Sequence, residues 1–163
     1  MSTITDRWPL QSACRVFYGD PSASGFEARN LVLVPLPFTM HMDDLKITRM
    51  RIHKKCAASL KIVLDAVHAS YSGDMAKMAA DKALEYSGSY NFRPMRGSAR
   101  LSMHAYGCAI DMAASINPMG KPNGYFGGDH PWVVAFEKEG WTWGGRWKGR
   151  SYDPMHFQAA RIG

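Results

Sequence analysis

The chain has 163 residues, of which 46% are hydrophobic and 21% charged, a balance that supports a buried core and excludes a disordered polymer. Lysine and arginine outnumber acidic residues by 20 to 14, so the net charge of +6 favours an anionic partner such as wall polymer, acidic lipid or nucleic acid. No apolar run is long enough to cross a membrane, and the start MSTITDRWPL has neither the basic end nor the apolar middle of a secretory leader.

In chain order, the first thirty residues are rich in turn formers: Pro9, Gly19, Pro21 and Gly25. NLVLVPLPF, residues 30–38, has strand composition, with Pro35 and Pro37 confining its end to an edge or a departing loop. From about Thr48 the apolar period becomes helical. Ile52, Cys56, Leu60, Val63, Leu64 and Val67 predict an amphipathic helix running to about Ser70, carrying His53 and His68 in packing or surface roles. A second helix is expected over residues 74–86, capped by Asp74 and stopped by Gly88. Beyond it, SYNF, AIDM and MHFQ read as strands and residues 131–139 as a further helix. Helices followed by short strands and long loops give an α+β domain spanning 1–163, with a small mixed or antiparallel sheet and its chemistry in the second half.

Two clusters there carry chemistry. In Ser102-Met-His104-Ala-Tyr-Gly107-Cys-Ala109-Ile-Asp111, a helix would hold His104 and Asp111 about 10 Å apart and an extended chain about 20 Å or more. Zinc ligand atoms must approach within about 4 Å of each other, so only a chain that doubles back can use both. Gly107, midway, can take the angles of such a reversal. The second cluster is Tyr152-Asp153-Pro154-Met155-His156-Phe157-Gln158, where Pro154 excludes a helix interior and His156 occupies one face of a strand. Two histidines and one carboxylate form a catalytic zinc shell with a position left for water, and a further carboxylate, Asp153, suits water activation.

SxHxxGxAxD followed by DxxHF resembles the signature of the zinc D,D-peptidases and L-alanyl-D-glutamate peptidases, which include vancomycin-resistance carboxypeptidases and phage endolysins. Tyr90-Asn-Phe92-Arg93-Pro94 and Trp141-Thr-Trp143-Gly144-Gly145-Arg146-Trp147 extend the resemblance. It implies a hedgehog/D,D-peptidase-like fold, with His104, Asp111 and His156 as zinc ligands. It also implies Asp153 as general base, Arg93 as the cation at the substrate carbonyl, and Ser102 as support for the ligands. Arg146 departs from the pattern, since relatives often carry an acidic residue there.

A serine mechanism through Ser102 lacks a third group, and Cys108, like Cys56, reads as a buried small residue. Trp141 and Trp143 are expected in the core, whereas Trp147, among Arg146, Lys148 and Arg150, is the better candidate for wall contact. A basic aromatic module that binds wall or single-stranded nucleic acid explains the charge but leaves His104, Asp111, Asp153 and His156 without a role. The expected protein is a monomeric zinc peptidase acting on bacterial peptidoglycan, with no nucleic-acid partner. It would be made in the cytoplasm and reach the wall after release. L-Ala-D-Glu cleavage is favoured over removal of terminal D-Ala, because lysis requires the wall network to be cut.

Overall fold

The computed structural model describes residues 7–163; most of the segment read as lacking a leader, residues 1–6, lies outside them. The chain opens with two short helices, α1 (Cys14–Tyr18) and α2 (Phe26–Asn30), joined through turns. A long hairpin follows, β1 (Leu31–Met42) and β2 (Leu45–His53), paired antiparallel from Leu31↔His53 to Met42↔Leu45. The strand expected from Asn30 therefore begins one residue later and continues through both prolines. Pro35 stays in register with Arg49, while Pro37 falls in a register shift between Pro35 and Met40, where a bulge leaves residues that need no ladder donor.

The helix expected from Thr48 is corrected: residues up to His53 belong to β2. Met50 and Ile52 are buried while Arg49 and Arg51 are exposed, an alternation of period two. Ile52 and Cys56 are four apart, which mimics a helical face across a strand end. His53 leaves the predicted helix as well. It precedes a 3-10 turn, Lys54–Cys56, with its Nδ1 accepting from the Lys55 amide and its Nε2 2.9 Å from the Tyr18 carbonyl.

Helix α3 (Ala57–Ser70) then buries Leu60, Val63, Leu64 and Val67, the stripe read from the sequence. It packs on β1 and on α5 (Pro131–Lys138). Asp74 caps α4 (Met75–Ala80), accepting from the Ala76 and Lys77 amides, but the helix stops six residues before Tyr86. Lys82 turns to a positive φ of 56° and the Ala83 amide returns to the Met78 carbonyl. The buried Trp132 side chain holds this exit through its bond to the Ala83 carbonyl.

Among the described residues, the other strands form one antiparallel sheet in the order β3 (Tyr86–Gly88), β4 (Ala109–Met112), β6 (His156–Gln158), β5 (Thr142–Trp143). AIDM and most of MHFQ are strands as expected. SYNF is not: the strand lies just before it, and residues 89–93 bond to the turn around His104 through the Asn91 amide and the Arg93 carbonyl. Phe157 of β6 stacks on Phe136 of α5 at 4.4 Å, and Trp141 packs on Phe136 at 4.9 Å. Trp141, Trp143 and the cysteines at 14, 56 and 108 are buried, as expected for 141, 143, 56 and 108. The architecture is α+β, compatible with the D,D-peptidase-like fold.

Candidate metal centre and its surroundings

The register of β4 against β6 places Asp111 directly opposite His156. His104 arrives from the other direction, on a 3-10 turn (Met103–Tyr106) whose first amides are capped by Ser102, with Ser102 Oγ accepting from the His104 amide. Gly107 ends this turn at φ 72°, and its carbonyl accepts from the His53 amide at 2.7 Å. A Cβ at residue 107 would stand 2.5 Å from Leu31 and 3.2 Å from the His53 backbone, so both conformation and space demand glycine. The reversal predicted at Gly107 is thus present, and it brings one ligand atom each of His104, Asp111 and His156 within 4.8 Å of one another.

The hydrogen bonds around the two imidazoles decide which nitrogens face the cluster. His104 Nδ1 lies 2.6 Å from the Ser89 carbonyl, which can only accept, so the proton sits on Nδ1. Its Nε2 lone pair then faces Asp111 Oδ2 at 3.2 Å and has no hydrogen-bond partner. His156 Nε2 donates to Gln158 Oε1 at 2.9 Å, and the Gln158 amide nitrogen donates to the Ala160 carbonyl, which fixes the orientation of the amide. His156 Nδ1 is left facing Asp111 Oδ1 at 3.1 Å. With both imidazoles in the neutral tautomers these contacts select, two nitrogen lone pairs converge on one carboxylate. Such a set is suited to a cation, and nitrogen–nitrogen–oxygen is the donor chemistry that zinc accepts.

Burial works against charge on Asp111, but its contacts with His104 and His156 outweigh this and hold the carboxyl well below the ordinary carboxylate range. Burial likewise disfavours an imidazolium at His156, and the facing Asp111 carboxylate reverses the effect and raises its pKa.

Asp153 stands beside the cluster without joining it. Its amide donates to the Gly144 carbonyl, and its own carbonyl accepts from the His156 amide. A Cβ at Gly144 would meet the Asp153 carbonyl oxygen at 2.3 Å, so the glycine permits this close approach. Oδ1 of Asp153 is buried with no hydrogen-bond partner, and burial pushes the carboxyl up to about 6, helped by the Asp111 charge and opposed by His156. A poised, unliganded carboxylate is the property a proton acceptor needs.

Arg93 is half-buried at the edge of this region. Its carbonyl accepts from the Ser102 amide at 2.9 Å, while its guanidinium reaches the Pro94 carbonyl at 3.5 Å. Arg96 is the arginine whose charge acts on Asp153, and the sequence reading did not single it out. Ser89 and Gln158, which orient the two imidazoles, were also missed. Gln158 was findable, because residues two apart on a strand share a face and an amide beside a histidine can fix its tautomer. Trp147 is half-buried with its ring 5.6 Å from that of His156. Arg146 forms a two-bond pair with Glu137 of α5 at 2.9 and 3.0 Å and lies over Trp143, bracing the loop.

The histidine–aspartate–histidine cluster, its two histidines buried and its aspartate half-buried, stands beside an unliganded acid and could hold a metal ion. Residues 96–159, the span holding all four of these side chains, match the family model described as D-alanyl-D-alanine carboxypeptidase, a family of zinc peptidases. That span covers the two clusters, residues 102–111 and 152–158, on which the resemblance mainly rests, and the family it matches is one of hydrolases. Neither a curated protein nor a solved structure matches the chain. Among the described residues, no helix is long and apolar enough to cross a membrane.

Proposed function

We propose that residues 1–163 form a single, monomeric zinc peptidase domain that cleaves the stem peptide of bacterial peptidoglycan as an L-alanyl-D-glutamate endopeptidase. The observation that carries this reading is the pair of imidazole lone pairs, on His104 Nε2 and His156 Nδ1, turned toward Asp111 beside the unpartnered Asp153 Oδ1. His104, Asp111 and His156 would hold the zinc, whose bound chemistry is to acidify a water and polarise a carbonyl. Asp153 takes the proton of the attacking water at its free carboxylate oxygen and returns it to the departing amine. Arg93 steadies the substrate carbonyl, and the basic surface attracts the acidic stem peptide.

The Trp143–Trp147 loop, which resembles that of phage lysins, supports the endopeptidase. The description of the matched family favours a second reading, removal of terminal D-Ala. Zinc analysis of protein purified without added metal tests the metal, and mass spectrometry of digested peptidoglycan tests the bond. Stem peptides beginning at D-Glu are expected. Release of free D-Ala alone makes the protein a carboxypeptidase, and an unchanged wall with tight binding to single-stranded DNA makes it a binding module. The place of action would be the wall, reached after release from the cytoplasm.

A further inference from the structure

Residues 89–93 have two sides. The odd-numbered residues hold the site: the Ser89 carbonyl accepts from His104 Nδ1, the Asn91 amide donates to the His104 carbonyl, and the Arg93 carbonyl accepts from the Ser102 amide. The even-numbered residues, Tyr90 and Phe92, instead line an open groove of about 430 Å³ together with Pro21, Phe26 and Glu27. Phe92 is 51% exposed, a large aromatic surface left in water one residue from Arg93. The groove's charges are matched: Glu27 lies 3.6 Å from Arg51, and the Arg51 guanidinium sits over the Tyr90 ring at 5.2 Å. Its wall is therefore aromatic, carries hydrogen-bonding groups and has no excess charge.

Past Arg93 the character of the surface changes. Pro94 pairs with Leu101, the Met95 amide donates to the Arg100 carbonyl, and the turn so formed carries Arg93, Arg96 and Arg100. Arg96 and Arg100 are exposed. A neutral aromatic groove and a basic turn thus lie on either side of Arg93 along one continuous segment, which also bonds to His104. A stem peptide cut between L-Ala and D-Glu has the same polarity. On the acyl side of L-Ala stands the lactyl ether of an N-acetylated sugar, uncharged beyond that link, and the amine side carries carboxylates.

We infer that the Tyr90–Phe92 groove is a subsite for the N-acetylated sugar that bears the stem peptide, while the Arg93–Arg100 turn receives the acidic residues beyond the cut. The inference rests on the L-Ala-D-Glu reading, since only there does a sugar lie within one residue of the scissile bond. The apolar face of a pyranose packs on an aromatic ring such as Phe92, and Glu27 and the Tyr90 hydroxyl offer hydrogen-bonding groups to its hydroxyls.

The test compares two substrates, an N-acetylmuramyl-L-Ala-D-Glu-containing peptide and the same peptide with acetyl in place of the sugar. Wild type should prefer the first by about tenfold in kcat/KM, the gain lying in KM. Phe92→Ala and Tyr90→Ala should erase the preference and leave turnover of the sugar-free peptide unchanged. Equal cleavage of both substrates by wild type, or equal loss on both in Phe92→Ala, overturns the subsite. Binding of N-acetylmuramyl-L-Ala-D-isoglutamine, read by NMR shifts of the Tyr90 and Phe92 rings, separates the two levels. A protein that cuts neither peptide yet shows those shifts keeps the groove and loses the endopeptidase reading; one that cuts without them loses the groove.

Discussion

Gln158 accepts a hydrogen bond from His156 Nε2 at 2.9 Å and is itself anchored through its amide nitrogen to the Ala160 carbonyl at 3.2 Å. The pair lies two residues apart on β6, so one strand supplies both a nitrogen that faces Asp111 and the group that sets its tautomer. Replacing Gln158 by Leu removes the acceptor while keeping much of the volume. Zinc affinity should fall by about 10–100-fold, measured by competition with a chromophoric chelator. Unchanged affinity would show that the tautomer is set without Gln158.

Asp111 and Asp153 should separate cleanly. Asp153→Asn is expected to retain zinc and lose about 10²–10⁴-fold in turnover, because the proton acceptor is gone. Asp111→Ala should lose metal and activity together. Zinc content and stem-peptide hydrolysis of the two variants give the answer, and a metal-free Asp153→Asn with a zinc-replete Asp111→Ala would exchange the assigned roles.

Arg93 acts, in this reading, through a planar guanidinium that lysine cannot imitate. Arg93→Lys should lower kcat about tenfold or more while sparing zinc content and thermal midpoint. Arg96→Lys provides the contrast: it keeps the positive charge near Asp153 and should leave kcat within about twofold of wild type, since a point charge acts at a distance.

Gly107→Ala forces a side chain into a φ of 72° and against Leu31 and the His53 backbone. A loss of about 1–3 kcal/mol is expected from the backbone conformation and the crowding together. Chemical denaturation measures it. Gly97, also at positive φ but with nothing within 4 Å of its Cβ position, is the control, and Gly97→Ala should cost less.

Burial lowers the pKa of His53 below its reference of 6.5, with Lys54 and Lys55 acting in the same direction, and burial lowers that of His130 despite Asp81. The folded chain therefore prefers both imidazoles neutral. Their contribution to stability is complete above about pH 6.5 and is lost as pH falls through the lower folded values. Between pH 7 and pH 5 their share of the urea midpoint should decline, while the raised pKa values of Asp153 and His156 act in the opposite direction. His53→Gln, which keeps an acceptor for the Lys55 amide and a donor for Tyr18, should decline less steeply. Parallel curves for the two proteins would remove His53 as a source of acid sensitivity.

Where the relevant forces act over one or two turns of chain, the sequence alone was decisive. Leu60, Val63, Leu64 and Val67 are a single helical face whatever packs on it, Asp74 caps its helix through its own next amides, and Gly107 marks the reversal between His104 and Asp111 because few residues take that conformation. The matched span of 96–159 rests on such local patterns. Elements whose identity depends on a distant partner were decided by the tertiary structure. Residues 48–53 fit a helical period until β1 pairs with them, and Lys82–Tyr86 has helical composition until the chain must leave to pair with β4. The site shows the same division. Its ligand candidates stand in local motifs, but the opposition of Asp111 to His156 comes from pairing segments 45 positions apart. The Ser89 carbonyl that orients His104 comes from a segment 15 positions away with no motif of its own. Backbone carbonyls are identical at every residue, so which one meets an imidazole is settled only by the path of the folded chain.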